Sequence, residues 1–239
     1  TQGVSSAASD VYKRQDQAVS RASDSLSYVY RLDEKYWLMM LDSCMCEPVH
    51  ETGGKLSEET VAWMKTQLEE AKKQGVTVIP VSHHNLLDES TLYPEECTIE
   101  NTKEVTALLE AYGVPVYLSG HLHLQRIKKH TSNLNTPGGY GIREIVTSPL
   151  PMAPCQYSIL NWQADGSLSY HTKKVDIAGW AQRYGEEDEN LLNFDAYADQ
   201  FLVDVISKQA FKALQSASKD IKEEMARLYA DCLLYTSDA

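Results

Sequence analysis

The residues best suited to chemistry are histidines at the ends of apolar runs. His83 closes the run Val78-Ile79-Pro80-Val81-Ser82 and is followed by His84 and Asn85. A second apolar run, 115–119, leads into Gly120-His121-Leu122-His123. Neutral imidazole nitrogen suits zinc, iron, nickel or manganese-type ions better than magnesium alone. In extended backbone, residues two apart point the same way, so His121 and His123 are expected to face one pocket. Gly120 allows close backbone approach beside them. A lone His-x-His is more often a solvated strand edge than a metal site, but strand, His-His, helix, strand and Gly-His-x-His in succession is far more specific. The chemistry it points to is metal-assisted hydrolysis.

These side chains need elements to bring them together. Residues 25–31 and 36–41 read as two strands joined by an Asp33-Glu34-Lys35 turn. Ser57 with Glu58 and Glu59 opens a helix carrying Val61, Met64, Leu68 and Ala71 on one stripe, closed by Gly75. The β-branched run 76–81 is a buried strand despite Pro80. A helix over 101–113, with Val105, Leu108, Leu109 and Tyr112, returns the chain to the strand at 115–119. This alternation predicts an α/β fold with parallel strands, whose ligands gather at the carboxyl rim. His83 and the His121/His123 pair are thus expected on adjacent strand tips. After the Pro137-Gly138-Gly139 turn, 142–147, 157–162 and 167–175 read as meander strands, the last two joined by Asp165-Gly166. Composition shifts near Gly179, and 191–229 reads as helical.

These features resemble the calcineurin-like metallophosphoesterases. Residues 78–85 are similar to that family's motif in which an apolar strand ends in a ligand histidine. Residues 119–123 are similar to its closing Gly-His-x-His motif. The resemblance runs over 25–175. It implies the C-terminal part of a two-sheet αββα sandwich, with a helical extension. It implies two divalent metal ions of Mn, Fe or Zn type and a phosphate-ester substrate, either a monoester or a diester. His83 and His121 would bind one ion, His123 the other, and His84 would face the phosphoryl oxygens. The family's Asp-x-His, Gly-Asp-x-x-Asp and Gly-Asn-His motifs are not found between Asp16 and Ser25. The resemblance therefore implies an enzyme in the intact protein and an inactive piece here. A binding scaffold that has lost its catalytic ligands is the alternative from another class. A mononuclear three-histidine site is a third.

The two ends of the chain carry a different signal. Residues 8–15 and 232–239 can be encoded by opposite strands of one short DNA, which resembles a transposon-type sequencing adapter. The expected organisation is therefore adapter-derived ends at 1–15 and 232–239, a partial phosphoesterase domain at 16–178 and a helical extension at 179–231. The 239 residues carry a formal net charge of −12. Such a surface repels phosphate backbones and disfavours coating nucleic acid. No apolar run approaches the ~20 residues a bilayer span needs. Cys44, Cys46, Cys97 and Cys155 are expected to be buried thiols. His50, His130 and His171 have no neighbours at ligand spacing and are expected to be structural.

Overall fold

The computed structural model describes residues 17–46, 51–88, 95–130, 141–163 and 165–217. The expected adapter-derived ends, the last part of the expected helical run (218–231), His50 and the Pro137-Gly138-Gly139 turn lie outside them. The fold is mixed α/β, with a seven-stranded sheet, a two-stranded sheet and helices. The chain divides into two compact units, Thr1–Leu122 with Ile127–Val146, and His123–Arg126 with Thr147–Ala239.

The first unit is built on the larger sheet. Its strands are β1 (Ala18–Arg21), β2 (Tyr28–Arg31), β3 (Tyr36–Met40), β4 (Thr77–Val81), β5 (Val116–Ser119), β6 (Arg126–Lys129) and β7 (Arg143–Val146), in the order β1-β2-β3-β4-β5-β7-β6. β2 and β3 form the expected antiparallel hairpin, with Asp33 Oδ1 accepting the N–H groups of Lys35 and Tyr36 in the turn. β3, β4, β5 and β7 then run parallel.

Two helices make the crossovers. α1 (Glu58–Gln74) starts at Ser57, whose hydroxyl accepts the Thr60 N–H at 2.9 Å. Such a cap is worth about 1 kcal/mol. Its end is set by Gly75 at φ 69°, a left-handed conformation in which its N–H reaches back to the carbonyls of Ala71 and Lys72. Thr60, Met64, Leu68 and Ala71 are buried. α2 (Thr102–Ala111) buries Val105, Thr106 and Leu109. The apolar members of both stripes join Val29, Trp37, Met39, Val78 and Tyr117 in one hydrophobic cluster. Each fully buried large side chain contributes about 1.5–3 kcal/mol. That cluster is the floor that holds the strand tips above it.

One strand expectation is corrected. Residues 142–147 were expected in a meander with 157–162 and 167–175, yet β7 lies in the large sheet, parallel to β5, pairing Val116↔Arg143 through Ser119↔Val146. Local alternation predicts a strand but not its neighbour, and here the neighbour is chosen by burial of Ile145 and Val146. β1 and β6 (Ala-Val-Ser-Arg and Arg-Ile-Lys-Lys) were not expected at all, because neither carries a run of core residues.

The second unit contains an antiparallel hairpin of β8 (Gln156–Trp162) and β9 (Leu168–Lys174), in register from Gln156↔Lys174 to Trp162↔Leu168. Its turn uses Gly166 at φ 82°, with Asp165 Oδ1 accepting the Ser167 N–H at 2.9 Å. Three helices follow: α3 (Ile177–Tyr184), α4 (Glu189–Leu192) and α5 (Phe194–Ala217). Asp176 caps α3 and Asp188 caps α4. The acidic stretch 186–189 thus delivers a helix N-terminus, where negative charge is favourable. Among the described residues no helix is long and apolar enough to cross a membrane.

Candidate metal centre

The tips of β4 and β5 are stitched together beyond the strands themselves. Val81 pairs with Leu118, the Ser82 N–H donates to the Leu118 carbonyl at 3.0 Å, and the Gly120 N–H donates to the His83 carbonyl at 3.0 Å. This last bond sets the segment carrying His83 against the one carrying His121. From below, the buried Tyr117 hydroxyl donates to Ser82 Oγ at 2.7 Å.

His83 Nε2 and His121 Nδ1 approach to 2.9 Å, one ring donating to the other. Their ring centroids lie 4.9 Å apart in an edge-to-face arrangement. Ligand atoms of His83, His84 and His121 all lie within 4.8 Å of one another. Two nitrogens bound to one ion at about 2.0–2.1 Å in a tetrahedron would sit about 3.3 Å apart. The His83–His121 pair needs only a small opening to take a cation in place of the shared proton. The donor chemistry therefore fits part of one metal's shell. Among the described residues no carboxylate belongs to this group.

His84 is placed differently from its neighbours. It is 3% exposed, its Nε2 donates to the Thr52 carbonyl at 3.0 Å, and its Nδ1 accepts from the Ser43 hydroxyl at 2.8 Å. Burial pushes its pKa below the usual imidazole value, outweighing the Thr52 carbonyl and Asp42, which both raise it. A neutral ring with one donor and one acceptor nitrogen matches these partners. The expected contact from His84 to phosphoryl oxygens has no free ring nitrogen to make it, and the side chain instead ties the β4 tip to 43–52. Gly54 packs against the ring so closely that an added Cβ would lie 2.4 Å from its Cγ and Nδ1.

The extended-backbone premise for His121 and His123 is corrected. Both take left-handed backbone, at φ 63° and φ 58°, with the Leu122 N–H donating to the Gly120 carbonyl at 2.7 Å between them. Alternation therefore does not govern where these rings point. His123 has an exposed side chain and opens the His123–Arg126 segment of the second unit. Non-glycine residues in this region cost roughly 1 kcal/mol or more, and strain of this kind concentrates at functional sites.

Beneath the rim lies a residue that the sequence reading did not single out. Glu144 on β7 is fully buried, and its carboxylate accepts from Ser119 Oγ at 2.6 Å, the Leu86 N–H at 2.6 Å and the Leu87 N–H at 2.7 Å. The Asn85 side-chain amide adds a longer bond at 3.4 Å. A glutamate inside a strand otherwise facing the core was the available signal. Among the remaining candidates, His130 pairs with Glu110 at 2.8 Å and His171 lies opposite Ile159 in the hairpin. Cys97 and Cys155 are buried as expected, but Cys44 and Cys46 are exposed. They follow β3 on a loop, where no sheet covers them.

The geometry defines a class first: a mixed α/β chain with paired imidazoles at the carboxyl rim of a parallel sheet. Comparison with known proteins adds one similarity outside that rim. Residues 176–236 match a family model described as the C-terminal domain of cyclic nucleotide phosphodiesterase, beginning at the residue that caps α3. Among solved structures, a dimetal phosphatase from Danio rerio is similar at 14% identity and a TM-score of 0.39, over 52% of this chain and 49% of that one. The chain thus spans about half the length of that structure. A comparison with curated protein sequences finds no match.

Proposed function

We propose that the intact protein is a metal-dependent phosphoric ester hydrolase and that this chain carries the imidazole part of its centre. The observation that carries the reading is the 2.9 Å approach of His83 Nε2 to His121 Nδ1 at the tips of neighbouring parallel strands. His83 and His121 would hold one divalent ion, and His123 would serve a second. Such ions supply a water made nucleophilic at neutral pH and charge stabilisation at the phosphoryl oxygens. His84 orients the β4 tip, and the Gly120 N–H holds the His83 segment against the His121 segment. The similarity of 176–236 to the C-terminal domain of cyclic nucleotide phosphodiesterase supports a diester as substrate. Residues 16–178 would then be part of the catalytic domain and 179–231 its helical extension. With no carboxylate in this group among the described residues, the repulsion of two dications is uncompensated, so the chain by itself does not turn over.

The test uses this chain and a longer product of the same gene, each with manganese and aryl phosphate mono- and diesters. The longer protein is expected to hydrolyse the diester, and His83→Ala or His121→Ala should lower kcat/KM by at least about 100-fold. Turnover that survives both substitutions would sink the reading. Turnover by this chain alone would overturn its assignment as an inactive part.

A further inference from the structure

We propose that Glu144 is a positioning residue that clamps both histidine-bearing strand tips from one buried carboxylate; the inference rests on reading the rim as a metal centre. Its reach is what sets it apart. Ser119 Oγ donates to Oε1 at 2.6 Å and lies two residues before His121. Asn85 Nδ2 donates to the same oxygen at 3.4 Å and lies two residues after His83. The Leu86 N–H donates to Oε1 at 2.6 Å and the Leu87 N–H to Oε2 at 2.7 Å. Asn85 Nδ2 also donates to Ser119 Oγ at 3.0 Å, which closes the link between the two tips.

All four groups that Glu144 meets are donors, and its two carboxyl oxygens supply the acceptors they need. A glutamine of the same shape would turn an NH2 towards a backbone N–H. Glu144 is 0% exposed, where an unpaired charge is costly unless it is richly hydrogen-bonded. Its position beside both imidazole-bearing segments gives that cost a role. Carboxylates and amides one step behind metal-binding histidines fix ligand orientation, and their loss weakens metal affinity about 10–100-fold.

The experiment compares the chain with Glu144→Gln, Ser119→Ala, Leu68→Ala and His83→Ala. Zn2+ affinity is read by competition with a chromophoric chelator, and 15N signals of the His83 and His121 rings are read without metal. Glu144→Gln should raise the His83-dependent Zn2+ Kd about 10–100-fold and move both ring signals. Ser119→Ala should act in the same direction by about 10-fold, and it decides the matter if Glu144→Gln does not fold. Leu68→Ala, a core cavity on α1, should lower stability with affinity changed less than about 2-fold. Unchanged affinity and ring signals in both rim-clamp variants would overturn the proposal, as would an equal affinity loss in Leu68→Ala. Equal Zn2+ binding by wild type and His83→Ala would instead sink the metal-centre reading. The metal-free ring signals would then judge Glu144 alone, shifted signals supporting the clamp and unshifted ones refuting it.

Discussion

The two histidine-bearing tips are held by opposite means. Around His83, the β4 tip is anchored through side chains: His84 to Ser43 and Thr52, Ser82 to Tyr117, and the N–H groups of Leu86 and Leu87 to Glu144. Around His121, the β5 tip is held through Ser119 and adopts left-handed backbone at His121 and again at His123. One tip is fixed by buried hydrogen bonds, the other by a strained turn tied back through Ser119 and the Gly120 N–H. A rim can therefore be rigid on one side and spring-loaded on the other, and the shared carboxylate makes the two act together.

That contrast can be broken most severely at its common point. Glu144→Ala leaves four donors without their acceptor, and it should cost at least about 3 kcal/mol of unfolding free energy in a urea titration. Next in size is His84→Ala, which orphans the Thr52 carbonyl and leaves the Ser43 hydroxyl only the backbone N–H of residue 84; a loss of about 2–3 kcal/mol is expected. Because the His84 and His121 ring centroids lie only 4.7 Å apart, the His121 ring signal should move with it. A smaller change sharpens the other side. Because His121 is left-handed, His121→Gly should be more stable than His121→Ala by about 1 kcal/mol in thermal unfolding, although both remove the ring.

The smallest effect is a pH dependence. Burial raises the Glu144 carboxyl above its usual value, outweighing the donors that lower it. A raised folded-state pKa stabilises fully below the unfolded value, and that contribution is lost as pH rises through the folded pKa. The stability gap between wild type and Glu144→Gln should accordingly be widest in acid and narrow as pH rises. A gap that widens with pH would contradict it.

The elements that carry the rim were legible because their signals are local. Ser57 and Gly75 delimit α1, and the apolar runs ending at Val81 and Ser119 become β4 and β5. The pairing of His83 with His121 followed from strand order alone. What was not legible depends on distant neighbours. The burial of His84 is decided by Ser43 and Thr52, far back in the chain. Glu144 reads as an outward charge until β7 is known to pack beside β5. The left-handed turn at His121 and His123 escapes a propensity argument, since glycine is the residue that ordinarily announces such backbone.

Pro80 has no N–H to give a ladder, and β4 meets β5 in register at Val81↔Leu118, whereas β4 shares five register pairs with β3 and β5 shares four with β7. The sparsest seam in the parallel part of the sheet thus runs directly beneath the imidazoles. Below the tip bonds from Ser82 to Leu118 and from Gly120 to His83, amide exchange along this line should be governed by local opening rather than by global unfolding. A cation shared by rings on either side would rivet the seam, so that loading the centre and stiffening the sheet become one event.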